Sequence, residues 1–126
     1  MQIIEIMEKT FQAESGDIAL YLAMSKKAAD EGDSETARYL YDVAMDEARH
    51  AAEFALLLGK VKDTRSNVSQ MLEDEIRSEK EKNQAAKIAL LQGNEEAYQH
   101  FERSMHDERR HKAGLKTILS KLQEKD

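Results

Sequence analysis

The feature of this chain that most constrains its fold is an internal repeat. The cluster DEARH at residues 46–50 recurs as DERRH at 107–111, and the same offset of 61 positions relates Gly32 to Gly93. A repeat of this length makes the chain two copies of one structural unit, so it must be recognised before any fold is assigned. Further pairs that match at this offset are Glu14 and Glu75, Lys26 and Lys87, Ala28 and Ala89, and Glu35 and Glu96.

Each half reads as two consecutive helices. The chain of 126 residues has no Pro and only 5 Gly, a composition typical of all-helical proteins. Apolar residues recur three, four and seven positions apart, which is the spacing of an amphipathic helix. The first helix is predicted from about Ile3 to Asp30, where Gly32 can end it and Asp33 or Ser34 can cap the next helix.

A polar segment, KVKDTRSN at 60–67, joins the two halves. The second helix is predicted to reach Gly59, and Asn67 or Ser69 is predicted to cap the third. The fourth helix is predicted to begin at about Glu95, after a second break at Gly93. The expected architecture is therefore all-α. It is a four-helix bundle made of two duplicated helical hairpins, 1–59 and 68–126, within a single domain over 1–126.

Composition also excludes several classes of function. Cys is absent, which excludes disulfides, thiolate metal sites and thiol catalysis. The net charge of −6 argues against nucleic acid as a partner, because no basic stripe offsets it. No apolar run approaches the length of a membrane span, and the segment 1–10 lacks the basic start of a signal peptide. A cytoplasmic protein is expected.

The residues kept in both copies include groups that bind metals. A Glu and a His three positions apart share one face of a helix, as the DEARH and DERRH segments would place them. A further Glu in the partner helix of each hairpin lies at about the same depth, since both positions are ~22–27 Å from the Gly break at ~1.5 Å per residue. The six candidate metal ligands are Glu14, Glu47, His50, Glu75, Glu108 and His111.

This set matches a dinuclear site in the core of a helical bundle, where two helices each supply a Glu and two each supply Glu-x-x-His. Its four carboxylates carry four negative charges, which two divalent ions neutralise; without metal they would be costly to bury and would raise one another's pKa values. Oxygen and nitrogen ligands suit iron or manganese, and zinc could also bind. One Glu-x-x-His alone would be accidental; the duplication favours a site.

Other residues are assigned to the metal site on weaker grounds. Asp46 and Asp107 are hypothesised each to accept a hydrogen bond from the His of the opposite half, with Arg49 and Arg110 holding the carboxylates. Tyr21 lies seven positions after Glu14, near the same face, and either lines the site or only packs there.

With these residues identified, the chain resembles the rubrerythrin branch of the ferritin-like superfamily. The resemblance covers nearly the whole sequence, from AESGDIALYLAMSKKAADEGD to DEARH, and from EDEIRSEK to GNEEAYQHFERSMHDERRH. It implies a ferritin-like bundle in which the six candidate ligands hold two iron ions, with Tyr21 matching an active-site Tyr.

Two departures from that family are visible. Rubrerythrins commonly carry a second Glu three residues after the third-helix ligand, and this chain has Ser78 there. Glu79, one position further, is expected to point less directly at the site. Rubrerythrins also commonly carry a rubredoxin domain whose iron is held by four cysteines. Because this sequence has no Cys, the chain is expected to take electrons from an external electron-donor protein or to work without sustained turnover.

The leading functional hypothesis is a non-haem di-iron carboxylate oxidoreductase that reduces hydrogen peroxide or dioxygen, with Tyr21 donating a hydrogen bond or a proton. A ferroxidase or iron-binding role is one alternative. A non-catalytic helical interaction module with a vestigial metal site is the other.

The length of the linker between the second and third helices affects which oligomer the chain is expected to form. In the ferritin-like fold helices two and three run parallel, so the connection must return along the bundle. From Gly59 to Asn67 it spans at most ~30 Å, against a path of ~25 Å along the axis plus ~10 Å sideways. A homodimer is expected, and it could be domain-swapped so that each site combines hairpins from two chains.

Overall fold

The computed structural model describes residues 2–124 and is all-α, with no strand in that range, which confirms the predicted fold class. Met1, Lys125 and Asp126, at the ends of the predicted domain, lie outside the described residues. No helix within residues 2–124 is both long and apolar enough to cross a membrane. The four helices are α1 (Ile3–Asp30), α2 (Ser34–Leu57), α3 (Thr64–Leu91) and α4 (Glu95–Glu124).

The break between α1 and α2 forms as the sequence predicts. Gly32 has φ 84°, a left-handed conformation that favours glycine, and Asp33 N–H donates to the Ala28 carbonyl at 2.9 Å. The Asp33 carboxylate then accepts from Thr36 N–H at 3.0 Å and caps α2. The chain therefore reverses within three residues, and α2 runs back along α1.

The start of α3 differs from the prediction. Neither Asn67 nor Ser69 caps this helix; Asp63 does so, accepting from Ser66 N–H at 3.1 Å. Asn67 instead clamps the preceding turn, because its side chain accepts from Lys62 N–H at 2.8 Å and donates to the Lys62 carbonyl at 2.9 Å. The predicted linker over 60–67 is thus too long, and its second half is the first turn of α3.

The chain divides between Val61 and Lys62 into two compact units, one formed by α1 and α2 and the other by α3 and α4. Each unit is an antiparallel hairpin with a narrow core of mostly small side chains. Small residues let two helices approach closely, and Ala44 in the first hairpin has an exposed fraction of 0%. The buried apolar residues are Ala28, Ala37, Ala44, Ala51, Ala86, Ala89 and Met105.

Much of the large apolar surface of both hairpins is exposed. In the part of the chain that the structure describes, no large side chain is fully buried. Each pair of helices therefore has a thin core that buries little apolar area. Exposed side chains include Leu20, Tyr39, Leu56 and Leu57 in the first hairpin and Met71, Ile88, Leu90, Leu91 and Ile118 in the second.

Candidate metal centre

The first hairpin brings together one cluster of candidate ligands. Glu14 on α1 faces Glu47 and His50 on α2, and one ligand atom from each lies within 4.8 Å of the others. His50 Nδ1 lies 3.2 Å from Glu14 Oε2. Glu47 and His50 share a face because they are three residues apart, as the sequence predicts. The His50 side chain is 53% exposed, so the cluster opens toward solvent.

The second hairpin repeats this arrangement. Glu75 on α3 faces Glu108 and His111 on α4, again with one ligand atom of each within 4.8 Å of the others. His111 Nδ1 lies 3.5 Å from Glu75 Oε2, and Glu108 is buried. The structure thus assembles the three predicted residues of each half, and their role as metal ligands stays a prediction.

The carboxylates within each cluster perturb one another. Desolvation by partial burial and the neighbouring Glu14 carboxyl raise the pKa of Glu47. A hydrogen bond to Glu108 and desolvation raise the pKa of Glu75, and the same hydrogen bond lowers the pKa of Glu108, with Lys82 and Ser78 lowering it further. The contact between the two carboxyls therefore favours the protonated form of Glu75.

One buried oxygen indicates that the second cluster suits a cation. Oε2 of Glu75 is buried without a hydrogen-bond partner, although buried polar atoms are nearly always paired. The same oxygen is the one that approaches His111. A divalent ion bound by Glu75, Glu108 and His111 would satisfy that oxygen and offset the charge, so the residues present fit a metal.

The sequence predicts contacts of Asp46, Asp107 and Tyr21 near the clusters, and the structure shows some of these contacts. Asp46 accepts from Arg49 at 3.1 Å, and Asp107 accepts from Arg110 in the same way, as hypothesised. The proposed bonds from these carboxylates to a His of the opposite half stay predictions. Tyr21 is half-buried on α1, two turns after Glu14.

Lys82 is a residue at the site that the sequence analysis missed. Its Nζ lies 3.1 Å from Glu108 Oε1 and donates to Ser104 Oγ at 2.6 Å. The repeat matches Lys82 with Tyr21, so the two halves carry different groups at this position. Comparison of the halves therefore does not predict a role for Lys82. The available signal was spacing, because Lys82 lies seven residues after Glu75 and so near the same helix face.

Ser78 stands where rubrerythrins commonly carry a second Glu, and Glu79 was expected to point less directly at the site. The structure agrees with this expectation. Ser78 contributes a hydrogen bond to Glu108. Glu79 turns away from the cluster and accepts from Arg109 at 3.0 Å and from Lys112 at 2.7 Å, and these contacts lower the pKa of Glu79. Neither residue therefore replaces the missing second Glu as a ligand in this arrangement.

The Lys82 ammonium should weaken cation binding at the second cluster. We expect Lys82→Met to strengthen Co(II) binding there about tenfold, because a positive charge beside a ligand oxygen is removed. Lys82→Arg keeps the charge and serves as the control. Titration of Co(II) followed by its visible absorption measures both variants; equal affinities for Met and wild type would show that Lys82 does not oppose the ion.

An open cleft adjoins each cluster. In the first hairpin Thr10, Phe54 and Leu57 line a cleft of about 530 Å³ beside Glu14 and His50. In the second, a cleft of about 430 Å³ beside Glu75 and His111 is lined by Met71, Leu115 and Ile118. The open side of each cluster is therefore bordered by apolar side chains.

Each of the two duplicated helical hairpins presents two carboxylates and an imidazole. This combination of fold and residues is typical of helical proteins that bind metal through Glu and His side chains. Comparison with known proteins makes this specific: a family model described as Rubrerythrin matches residues 5–119, and the chain belongs to that family. The predicted rubrerythrin-like, ferritin-like class is thereby confirmed.

Two relatives are similar over nearly the whole chain. An uncharacterised protein of Methanocaldococcus jannaschii is 39% identical over 116 residues, covering 91% of this chain and 82% of that protein. Reverse rubrerythrin-1 of Clostridium acetobutylicum is 29% identical over 122 residues, covering 95% of this chain and 67% of that protein.

Proposed function

We propose that this protein is a non-haem di-iron oxidoreductase that reduces hydrogen peroxide or dioxygen with electrons from an external donor protein. The observation that carries the proposal is the pair of Glu/Glu/His clusters, one in each hairpin of a chain of the Rubrerythrin family. A single such cluster would suit many divalent ions. Two copies that can meet supply the four carboxylates and two imidazoles of a dinuclear site.

In the proposed site each hairpin would contribute two carboxylates and one imidazole as metal ligands. Glu14, Glu47 and His50 would come from the first hairpin. Glu75, Glu108 and His111 would come from the second. The raised pKa of Glu75 beside Glu108 fits a cation site, because crowded carboxyls give up a proton when a cation binds.

Bound iron would supply the Lewis acidity and the two electrons that, with two protons, convert one peroxide molecule into two waters. The chain supplies the rest. The Tyr21 hydroxyl is a hydrogen-bond donor for the oxidant, and apolar residues border each cluster. Sustained turnover then needs a reductant, which in a cytoplasmic setting would be a small electron-transfer protein.

Rapid mixing tests the reaction. Protein loaded with Fe(II) without oxygen should oxidise in a fast phase when mixed with peroxide, seen as growth of Fe(III) absorbance near the ultraviolet. Tyr21→Phe should keep the metal and slow this phase, since only the hydroxyl is lost. Loaded protein that oxidises no faster than free Fe(II) would refute the proposal.

The ferroxidase alternative predicts a different fate for iron. A ferroxidase releases Fe(III) and takes up fresh Fe(II), whereas the proposed enzyme keeps its ions and consumes peroxide in proportion to added reductant. Measuring iron retained per chain after several turnovers separates the two. Metal analysis of protein purified without added metal also tests manganese and zinc as substitutes, and less than one ion per chain would favour a vestigial site.

A further inference from the structure

The two clusters carry the same candidate ligands but differ in the groups beside them. At the offset that aligns the two halves, three neighbouring positions are unlike: Tyr21 corresponds to Lys82, Val43 to Ser104, and Asp17 to Ser78. Two of these differences change a formal charge. Because a divalent ion is attracted by the whole charge around its ligands, the two clusters need not bind it equally.

In the second hairpin a cation of the protein itself lies against a candidate ligand. Lys82 Nζ is 3.1 Å from Glu108 Oε1 and donates to Ser104 Oγ at 2.6 Å. The Lys82 side chain is 30% exposed and the Glu108 side chain 12%, so water screens the pair only in part. Lys82 thus supplies to Glu108 part of the positive charge that a divalent ion would bring.

Two helices hold this ammonium in place. Lys82 lies seven residues after Glu75 on α3, so both side chains are near one face of that helix. Ser104 lies four residues before Glu108 on α4, so the two acceptors stand one turn apart on a single face. An ammonium has three N–H donors and can bond to both acceptors at once. The lysine is therefore directed across the hairpin to α4.

The first hairpin cannot form the same contact. It has the phenol of Tyr21 in place of the ammonium, and Val43 has no side-chain acceptor. It carries an additional carboxylate instead, because Asp17 lies three residues after Glu14 on α1. Partial burial and the Glu14 carboxyl are the main causes that raise the pKa of Glu47, and Asp17 raises it further. The first cluster is therefore the more negative of the two.

The arginines beside the clusters do not cancel this difference. Arg49 borders the cleft of the first cluster and Arg110 that of the second. Each donates to the Asp three residues before it, Asp46 in one case and Asp107 in the other. The two halves thus carry the same charges at these positions, and the contrast between Lys82 and its counterpart Tyr21 remains.

We infer that the two clusters fill with metal in a fixed order, the first hairpin before the second, because Lys82 competes with the second ion for Glu108. This inference rests on the proposed function, in which both clusters are metal ligands. One charge beside a ligand changes cation affinity by about tenfold, so the two affinities should differ by at least that factor. Lys82 is thus a positioning residue, and a chain short of metal holds one ion and no paired centre.

Titration with Co(II), followed by the visible absorption of the bound ion, tests the order without any turnover. Wild type should bind one equivalent per chain tightly and a second about tenfold or more weakly. Two neighbouring ions also repel each other, so separate steps alone do not identify the clusters. Single variants do: His50→Ala should remove the tight step, whereas His111→Ala should keep it and remove the weak one. The reverse assignment overturns the inference.

Exchanging the unlike side chains between the halves tests the cause of the order. Tyr21→Lys with Val43→Ser builds the contact in the first hairpin, and Lys82→Tyr with Ser104→Val removes it from the second. A chain with all four changes should fill the second cluster first, so that His111→Ala now removes the tight step. If this chain loses its helical circular dichroism, Lys82→Met alone decides, because it should narrow the gap between the steps about tenfold. An unchanged gap overturns the inference.

Lys87→Met is the matched control, because Lys87 is exposed on the same helix and the repeat keeps a lysine there, Lys26. It should leave both affinities unchanged, and an effect equal to that of Lys82→Met would show that net charge sets the order. Two ions bound with equal affinity by the two single His variants would overturn the order and leave the di-iron function intact. One ion bound by the first cluster, with the second never filled, would support the unequal clusters and refute the dinuclear function.

Discussion

Glu47→Ala protein is expected to lose the paired metal centre and to reduce peroxide more than ~100-fold more slowly, beyond the 10–100-fold typical of groups that only support a ligand. Glu47 is one of the four carboxylates proposed to hold the metal ions, so its removal takes away a ligand. Glu108→Ala should have the same effect from the other hairpin. Metal content after gel filtration and the initial rate of peroxide loss measure the two consequences separately.

Asp42→Ala is the matched control for that prediction. Asp42 is also a carboxylate of α2, but it is exposed and accepts from Arg38 at 3.1 Å on the helix surface. Its loss removes a charge from the same helix without touching the cluster, so metal content and rate should remain at wild-type values. Equal losses in the Asp42 and Glu47 variants would mean that overall charge, and not ligation, governs metal binding.

Metal should also dominate the stability of the fold. Binding to the folded state alone should raise the melting temperature by roughly 10 °C or more when free metal exceeds the dissociation constant about a thousandfold. Zn(II) or Mn(II) serves for this measurement because neither reacts with oxygen in the assay. Glu75→Gln should remove most of this increase, yet in the metal-free protein it should raise the melting temperature by a few degrees at neutral pH.

The expected rise in the melting temperature of metal-free Glu75→Gln protein follows from the direction of the Glu75 pKa shift. The folded, metal-free protein raises the pKa of Glu75, so it favours the protonated carboxyl. The stability that this carboxyl contributes is complete below the pKa of the unfolded chain and is lost as the pH rises through the raised, folded pKa. Gln is neutral throughout. The advantage of Glu75→Gln should therefore disappear when the pH falls to the range where Glu is protonated in both states.

Glu79→Gln, on the same helix, is expected to change the melting temperature in the opposite direction. The ion pairs with Arg109 and Lys112 lower the pKa of Glu79, so its contribution to stability is present above the ordinary carboxyl pKa and is lost on acidification. The Gln variant should melt below wild type at neutral pH and should bind metal normally. If both Gln variants shift the melting temperature in the same direction, the contrast between cluster and surface carboxylates is wrong.

The sequence predicts the fold class and both clusters because their signals are local and duplicated. Glycine in a left-handed turn can be read at Gly32 and Gly93, since few other residues adopt that conformation. The spacing of Glu47 and His50 fixes a shared face before any packing is known. The match with Glu14 needs only the assumption of an antiparallel hairpin, which the short turn imposes.

Other features depend on choices that sequence leaves open. Asp63, Asn67 and Ser69 are all good capping residues, and the structure uses the first because Asn67 finds two partners on Lys62 instead. That choice starts α3 at Thr64 and so shortens the connection from α2. The contact between Lys82 and Glu108 was hidden for another reason: a long, flexible side chain can reach several targets, and the repeat offers Tyr21 in its place.

The two helical seams differ at one interior position close to the clusters. Ala44, one turn before Glu47, corresponds in the repeat to Met105, one turn before Glu108, and both are buried. Since side-chain volume at a crossing sets how closely two helices approach, the ligand spacing in each half is governed by a different residue. Preference for an ion of a given radius can therefore diverge between the halves through core substitutions alone, with every ligand unchanged. The halves of a duplicated protein of this kind thus have a route to preferring different ions.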